Sequence, residues 1–260
     1  MPFKSPKATV ETACSAGNSK AENDIPHLLV LGFLAGAYIA FGGFLAIIVG
    51  KGVNTETLGV GIGKFLFAGV FPVGLMLVVI AGSELFTGNC GVITPSCLRG
   101  SARWQGLLKN WGTVYIGNFI GSLFVAYFLA YLTGLTAQEP YLSATQAIAT
   151  GKVQLTFVQA FFRGVGCNWL VCLAVWLALA SDDISGKIWG IWFPIMAFVA
   201  LGFEHSVANM FFIPLGMFNG ANVTVGQLLI SNLLPVTLGN IVGGAGFVGA
   251  IYWWLYGRER

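Results

Sequence analysis

Six apolar stretches constrain this chain more than any other feature of its sequence. They run over about residues 28–49, 65–92, 110–132, 157–180, 188–218 and 228–256, and each meets the roughly 20 residues that a helix needs to cross the hydrocarbon core of a bilayer. A segment in lipid must satisfy its own backbone hydrogen bonds, so it folds as a helix or as part of a closed barrel. Short alternating segments of the kind that build barrels are absent from the sequence. With 56% of residues hydrophobic and 9% charged, the expected fold is an all-α integral membrane protein with six transmembrane helices.

Residues 1–25 are polar, with Pro2, Ser5, Ser15 and Ser19, and lack the apolar centre of a cleaved signal peptide. They are expected to form a soluble tail, with room for a short surface helix. The domain reading is an N-terminal tail over 1–25, a transmembrane domain over 26–256 and a C-terminal tail over 257–260. With the N-terminus inside the cell, the inner side receives Lys4, Lys7, Lys20, Arg99, Arg103, Lys109, Lys187, Arg258 and Arg260, and the outer side Lys51, Lys64, Lys152 and Arg163. That bias obeys the positive-inside rule and places both termini in the cytoplasm of a cell-membrane protein. Trp104, Trp189, Trp253 and Trp254 fall near the expected inner ends, where interfacial anchors belong. The same sorting accounts for the net charge of +3; no basic run interleaved with aromatics points to nucleic acid. Cys14, Cys90, Cys97, Cys167 and Cys172 show no metal or redox spacing, so no disulfide, metal or other cofactor is expected. Gly59, Gly61 and Gly63 have no strand before them and read as a flexible turn.

The second half of the chain echoes the first. In the opening spans, Phe33, Gly36, Leu45 and Ala46 return as Phe161, Gly164, Leu173 and Ala174. In the next pair, Gly82, Glu84 and Asn89 return as Gly202, Glu204 and Asn209. In the last, Gln105, Leu107, Asn110, Gly117, Asn118 and Gly121 return as Gln227, Leu229, Asn232, Gly239, Asn240 and Gly243. Each repeat holds three spans, an odd number, so the two are expected to be inverted, with a site near the midplane where discontinuous helices meet. The middle spans are longer than a crossing needs and are punctuated by Pro72, Gly82, Gly88, Gly91 and Pro95, and by Pro194, Gly202, Pro214 and Gly216. Both read as broken helices, unwound over residues 83–90 and 203–210. Gly32/Gly36, Gly117/Gly121 and Gly239/Gly243 are spaced for close helix contact, within the chain rather than between subunits.

The ionisable residues inside the spans carry the functional reading. Residues 192–214 are almost wholly apolar, yet hold Glu204 and His205 at their centre; such residues in a membrane mark a functional site by default. His27 lies at an edge and reads as incidental. Thr87 stands at matching depth in the other repeat, and the two are expected to share a small polar chamber. Glu84 and Glu204 resemble catalytic carboxylates, but their equivalent positions favour a shared structural duty, accepting backbone N–H groups at the breaks or capping the next half-helix. Asn89 and Asn209 belong to the same scheme. Phe71, Leu75, Leu85, Phe86, Val171 and Phe198 surround the spot and read as packing or as apolar gates. Lys152 and Arg163 lie toward the outer mouth, either snorkelling or forming a cationic funnel.

The run from Gly82 to Gly88, the run from Gly164 to Ala174 and the run from Phe203 to Met210 resemble the two signatures and the histidine loop of the formate/nitrite transporter family. The resemblance covers about residues 26–256. It implies a homopentamer of aquaporin-like protomers, each with its own pore. It implies that His205 and Thr87 form the central selectivity site, that Phe71, Leu75 and Phe198 build the outer constriction, and that Leu85, Phe86 and Val171 build the inner one. It further makes Asn168 a polar pore residue and Lys152 a lysine of the outer vestibule, and it assigns Arg163 no pore role.

A bare anion does not enter an apolar slit cheaply. A weak-acid anion drawn in by Lys152 and helix dipoles would take up a proton as it sheds water and cross as the neutral acid, with His205, oriented by Thr87, supplying or relaying the proton. Formate is the expected cargo, with nitrite or hydrosulfide as alternatives in the same chamber. A water or glycerol facilitator of aquaporin type lacks its Asn-Pro-Ala pairs here, since the corresponding loops read Gly88-Asn89-Cys90 and Ala208-Asn209-Met210. A membrane enzyme would need converging acid, base or metal-binding groups.

Overall fold

The computed structural model describes residues 3–54, 57 and 59–258; Pro2 and Arg260, named above, lie outside them. Every long element is a helix, and the described residues hold no strand beyond an isolated bridge between Phe3 and Ser181. Helix α1 (Pro6–Glu22) opens on Ser5, whose hydroxyl accepts the Ala8 N–H, with Pro6 in the first turn where its missing donor costs nothing. Helix α2 (Ile25–Lys51) is capped by Asp24. There follow α3 (Val60–Gly82), α4 (Phe86–Leu98), α5 (Trp104–Tyr131), α6 (Tyr141–Val153), α7 (Phe157–Ala180), α8 (Ile184–Leu201), α9 (Ser206–Phe218) and α10 (Gln227–Gly257). Six of these, α2, α3, α5, α7, α8 and α10, are long and apolar enough to cross a membrane. The half-length helices α4 and α9 run through the middle of the bundle, and every residue from Phe86 to Cys97 and from Ser206 to Gly216 is buried.

Three expectations need correction. The glycines after Gly59 are no flexible turn: Gly59 takes a left-handed φ of 83° and α3 starts at Val60. The polar N-terminus is not a soluble tail either: its helix α1 is docked on α4. Val10 and Ala13 are wholly buried, Ser96 Oγ donates to the Cys14 carbonyl at 2.9 Å, and a β-carbon on Gly17 would collide with Ser96 Oγ and the Val92 carbonyl. Polar composition hid this docking because the buried face of α1 is built from small residues. Gly17→Val is expected to speed amide exchange across α1 by about tenfold or more relative to α2, as overpacking by 1–3 kcal/mol implies; equal protection in parent and variant would contradict the docking.

The third correction concerns the register of the repeat. The Leu31 carbonyl accepts the Glu84 N–H and the Arg163 carbonyl accepts the Glu204 N–H, both at 3.2 Å. Asn118 donates to the Gly32 carbonyl and Asn240 to that of Gly164, both at 2.8 Å. Residues 31 and 163, and 32 and 164, thus correspond at a spacing of 132, whereas pairing Phe33 with Phe161 uses 128, about one helical turn out. Gly32 and Gly36 present the same small-residue face one turn apart, so sequence alone slides along it. The glycine pairs do pack within the chain: Gly117 and Gly121 meet the backbone of α2, and Gly239 and Gly243 that of α7.

Candidate pore site

Both middle spans break in the same way. Gly82 and Gly202 take φ of 85° and 76°, a left-handed turn that glycine makes without a β-carbon penalty. Ser83 then donates back to the Val78 carbonyl at 3.0 Å, and Phe203 to that of Phe198 at 3.1 Å, the six-to-one bond of a Schellman stop. Only residues 83–85 and 203–205 are unwound, fewer than expected, because α4 and α9 restart at once. Asn118 accepts the Phe86 N–H at 3.0 Å and donates to the Glu84 carbonyl at 2.9 Å. Asn240 does the same for Ser206 at 2.9 Å and Glu204 at 3.0 Å. One buried amide from the third span of each half therefore satisfies the exposed backbone of each break.

This arrangement corrects the role given to the glutamates. The Glu84 carboxylate receives Lys20 Nζ at 2.6 Å and Asn89 Nδ2 at 2.6 Å, with Asn110 Nδ2 at 3.4 Å. Glu204 receives Lys152 Nζ at 2.9 Å, Asn209 Nδ2 at 2.7 Å and Asn232 Nδ2 at 3.3 Å. Their side chains cap no helix; they hold a lysine from the short helix that precedes each half. Asn110 closes one network by donating to the Lys20 carbonyl at 2.9 Å, and Asn232 closes the other through Lys152 at 3.0 Å. A buried carboxylate stays ionised at modest cost only when paired and hydrogen-bonded in this fashion.

The breaks bring Thr87 and His205 together across 118 residues of sequence, with Thr87 Oγ1 at 2.9 Å from His205 Nε2. His205 Nδ1 accepts the Ala208 N–H at 3.0 Å, so a neutral ring carries its proton on Nε2 and aims it at Thr87. Thr87 lies in the first turn of α4 and His205 is the N-cap of α9, so the positive ends of two helix dipoles converge on this contact.

Two cavities flank it. One, of about 770 Å3, contains His205, Phe71, Phe198, Phe212, Lys152 and Glu204 in its wall, and Lys51 and Lys64 beside its mouth. The other, of about 390 Å3, is lined by Leu75, Leu85, Glu84 and Lys20. Gly50 lines the first and Leu31 the second; both lie on α2, roughly 28 Å apart at 1.5 Å per residue. The cavities therefore open toward opposite ends of the spans.

The structure places the remaining candidates as follows. Phe71 and Phe198 meet edge to face at 5.8 Å, and Phe198 lies over the His205 ring at 5.9 Å. Leu75 sits with Leu85 on the second cavity, not with Phe71 and Phe198. Phe86 packs on Tyr115 and Trp111, at 5.0 and 6.0 Å, and neither it nor Val171, also buried, is among the residues lining the two cavities. Asn168 lines neither cavity; it donates to the carbonyls of Thr87 at 3.1 Å and Asn240 at 2.6 Å, tying α4 to α10. Arg163 is exposed. Sequence reasoning passed over Lys20 and gave Asn110, Asn118, Asn232 and Asn240 no role. The asparagines were visible as matched pairs in the repeat; Lys20, in a polar segment, carried no signal.

Six helical spans, two half-length helices meeting at a buried polar contact and a cavity on either side define a membrane protein of the channel and transporter class. A sequence profile of the formate/nitrite transporter family matches residues 7–254. The chain is 55% identical over 271 residues to the "Probable formate transporter" of Methanothermobacter thermautotrophicus, covering 99% of this chain and 98% of that one. It superposes on a solved structure of an FNT family ion channel with a TM-score of 0.88 at 32% identity, covering 95% of this chain and 98% of the other. A second, described as a pentameric formate channel with formate bound, matches with a TM-score of 0.77 at 34% identity, over 90% and 98% of the two chains. The chain belongs to the formate/nitrite transporter family, as a multi-pass membrane protein.

Proposed function

We propose that the chain carries formate across the cell membrane as formate plus a proton, through a pore in each protomer of a homopentamer with cytoplasmic termini. The single observation behind this reading is the Thr87–His205 contact, a pair of uncharged donors and acceptors held between two cavities at the meeting of two helix N-termini. Lys152, held by Glu204 in the wall of the larger cavity, concentrates anions beside Phe71 and Phe198. Formate loses water there and leaves as the neutral acid past Leu75 and Leu85. The relatives' names support formate as cargo, and the pentamer follows from the likeness to the pentameric channel.

Two routes for the proton fit this geometry. In the first, His205 supplies it, which requires the ring to take a second proton and release the Ala208 N–H before passing the Nε2 proton toward Thr87 and the carboxylate. In the second, water in the cavity supplies it, and the neutral ring only donates a hydrogen bond; the Ala208 contact favours this route. Uptake of labelled formate into proteoliposomes tests the cargo. Saturable uptake that unlabelled formate suppresses more strongly than nitrite or hydrosulfide is expected. Indifference to formate with strong nitrite or hydrosulfide flux would keep the site and overturn the substrate.

A further inference from the structure

Away from the pore, on the face that carries α1, three cations from three separate segments line one cleft of about 640 Å3: Lys7 of α1, Arg99 after α4 and Arg258 after α10. A single carboxylate, Glu11, joins them, and among the described residues none of the three cations makes an ion pair within 4.0 Å. Leu255 and Tyr256 complete the wall; both are exposed and lie at the end of the long apolar helix α10. The cleft therefore sits where a membrane span gives way to water, at the level of lipid headgroups.

Arg99 and Arg258 each have a local reason for their positions, since both follow the C-terminal end of a helix, where the macrodipole favours a cation. Lys7 has none. It lies in the first turn of α1, where the dipole disfavours a cation and favours an anion. A phosphate in the cleft would meet the helix end and all three cations together, taking paired N–H donors from the arginines and a point charge from the lysine.

We infer that this cleft binds a phosphate group, carried by an anionic phospholipid or by a free phosphate, and that the bound group clamps α1 onto α4. The consequence reaches the pore side of the molecule, because α1 also carries Lys20, the partner of Glu84 in the smaller cavity.

The test is amide exchange over residues 6–22 in the full chain, reconstituted in phosphatidylcholine vesicles with and without phosphatidylglycerol. A further arm adds inorganic phosphate to the phosphatidylcholine vesicles. Phosphatidylglycerol is expected to slow exchange by about tenfold, as a ligand at about ten times its dissociation constant would. The Lys7→Gln, Arg99→Gln, Arg258→Gln triple variant should lose the effect, and the charge-conserving Lys7→Arg, Arg99→Lys, Arg258→Lys variant should keep it. Formate uptake by the glutamine variant reports that it is folded. The same protection from inorganic phosphate alone would assign the site to a free phosphate. Equal exchange in every arm, or protection that survives in the glutamine variant, would overturn the inference.

Discussion

Replacing Glu204 by glutamine is expected to destabilise the protein by about 3–5 kcal/mol, the cost of leaving a buried charge without its partner. Glu204 and Lys152 are both largely buried, with side chains 5% and 17% exposed. The carboxylate also takes Asn209 and Asn232, so α6, α9 and α10 all meet at this one group. An amide of the same shape keeps some of these hydrogen bonds but strands the ammonium beside the Phe212 ring, 5.6 Å away. Thermal unfolding in detergent should show an apparent melting temperature well below that of the parent. Adding Lys152→Met should recover much of the loss, because removing both charges leaves no unpaired ion. A single variant as stable as the parent would show that the pair contributes nothing to the fold.

Replacing His205 by asparagine is expected to lower the rate of formate uptake while leaving its pH dependence unchanged, because the Ala208 N–H holds the ring neutral and water in the cavity supplies the proton. The parent rate should rise as pH falls, approaching tenfold per pH unit where the neutral acid is scarce. Asparagine retains a hydrogen-bond donor toward Thr87 but has no group that titrates in this range. A flattened profile in the variant would instead assign proton transfer to the ring and overturn the purely hydrogen-bonding role of His205. Either result bears directly on the bond between Nδ1 and the Ala208 N–H, which a doubly protonated ring has to give up.

Much of the fold was legible because lipid leaves few choices. Apolar runs of sufficient length announced the six spans, and Gly82 and Gly202 announced the breaks in the two middle spans, whereas Pro95, Pro194 and Pro214 turned out to lie inside helices. The pairing of Thr87 with His205 was legible too, through their matching depth in the two halves. What escaped notice was whatever depended on exact contacts. Glu84 and Glu204 repeat because each holds a lysine from the helix before its half, not because each caps a helix; sequence shows the symmetry of the carboxylates but not the partner. The exposed backbone of each break is satisfied by Asn118 and Asn240, whose positions in the third spans give no hint of the break they serve. Leu75 was grouped with Phe71, four residues earlier, yet one helical turn in a packed bundle was enough to carry it to the other cavity. Docking of α1 was hidden because its contact face is made of Val10, Ala13 and Gly17, residues too small to register as an apolar stripe.

The central claim is that formate crosses together with a proton at the Thr87–His205 contact. Its most direct measurement is the initial rate of labelled formate uptake into proteoliposomes, with and without an inward proton gradient at fixed internal pH. The account predicts faster uptake with the gradient and accumulation of formate above the external concentration until the gradient collapses. Equal rates and no accumulation, with formate still crossing, would mean that the bare anion passes and that no proton joins it.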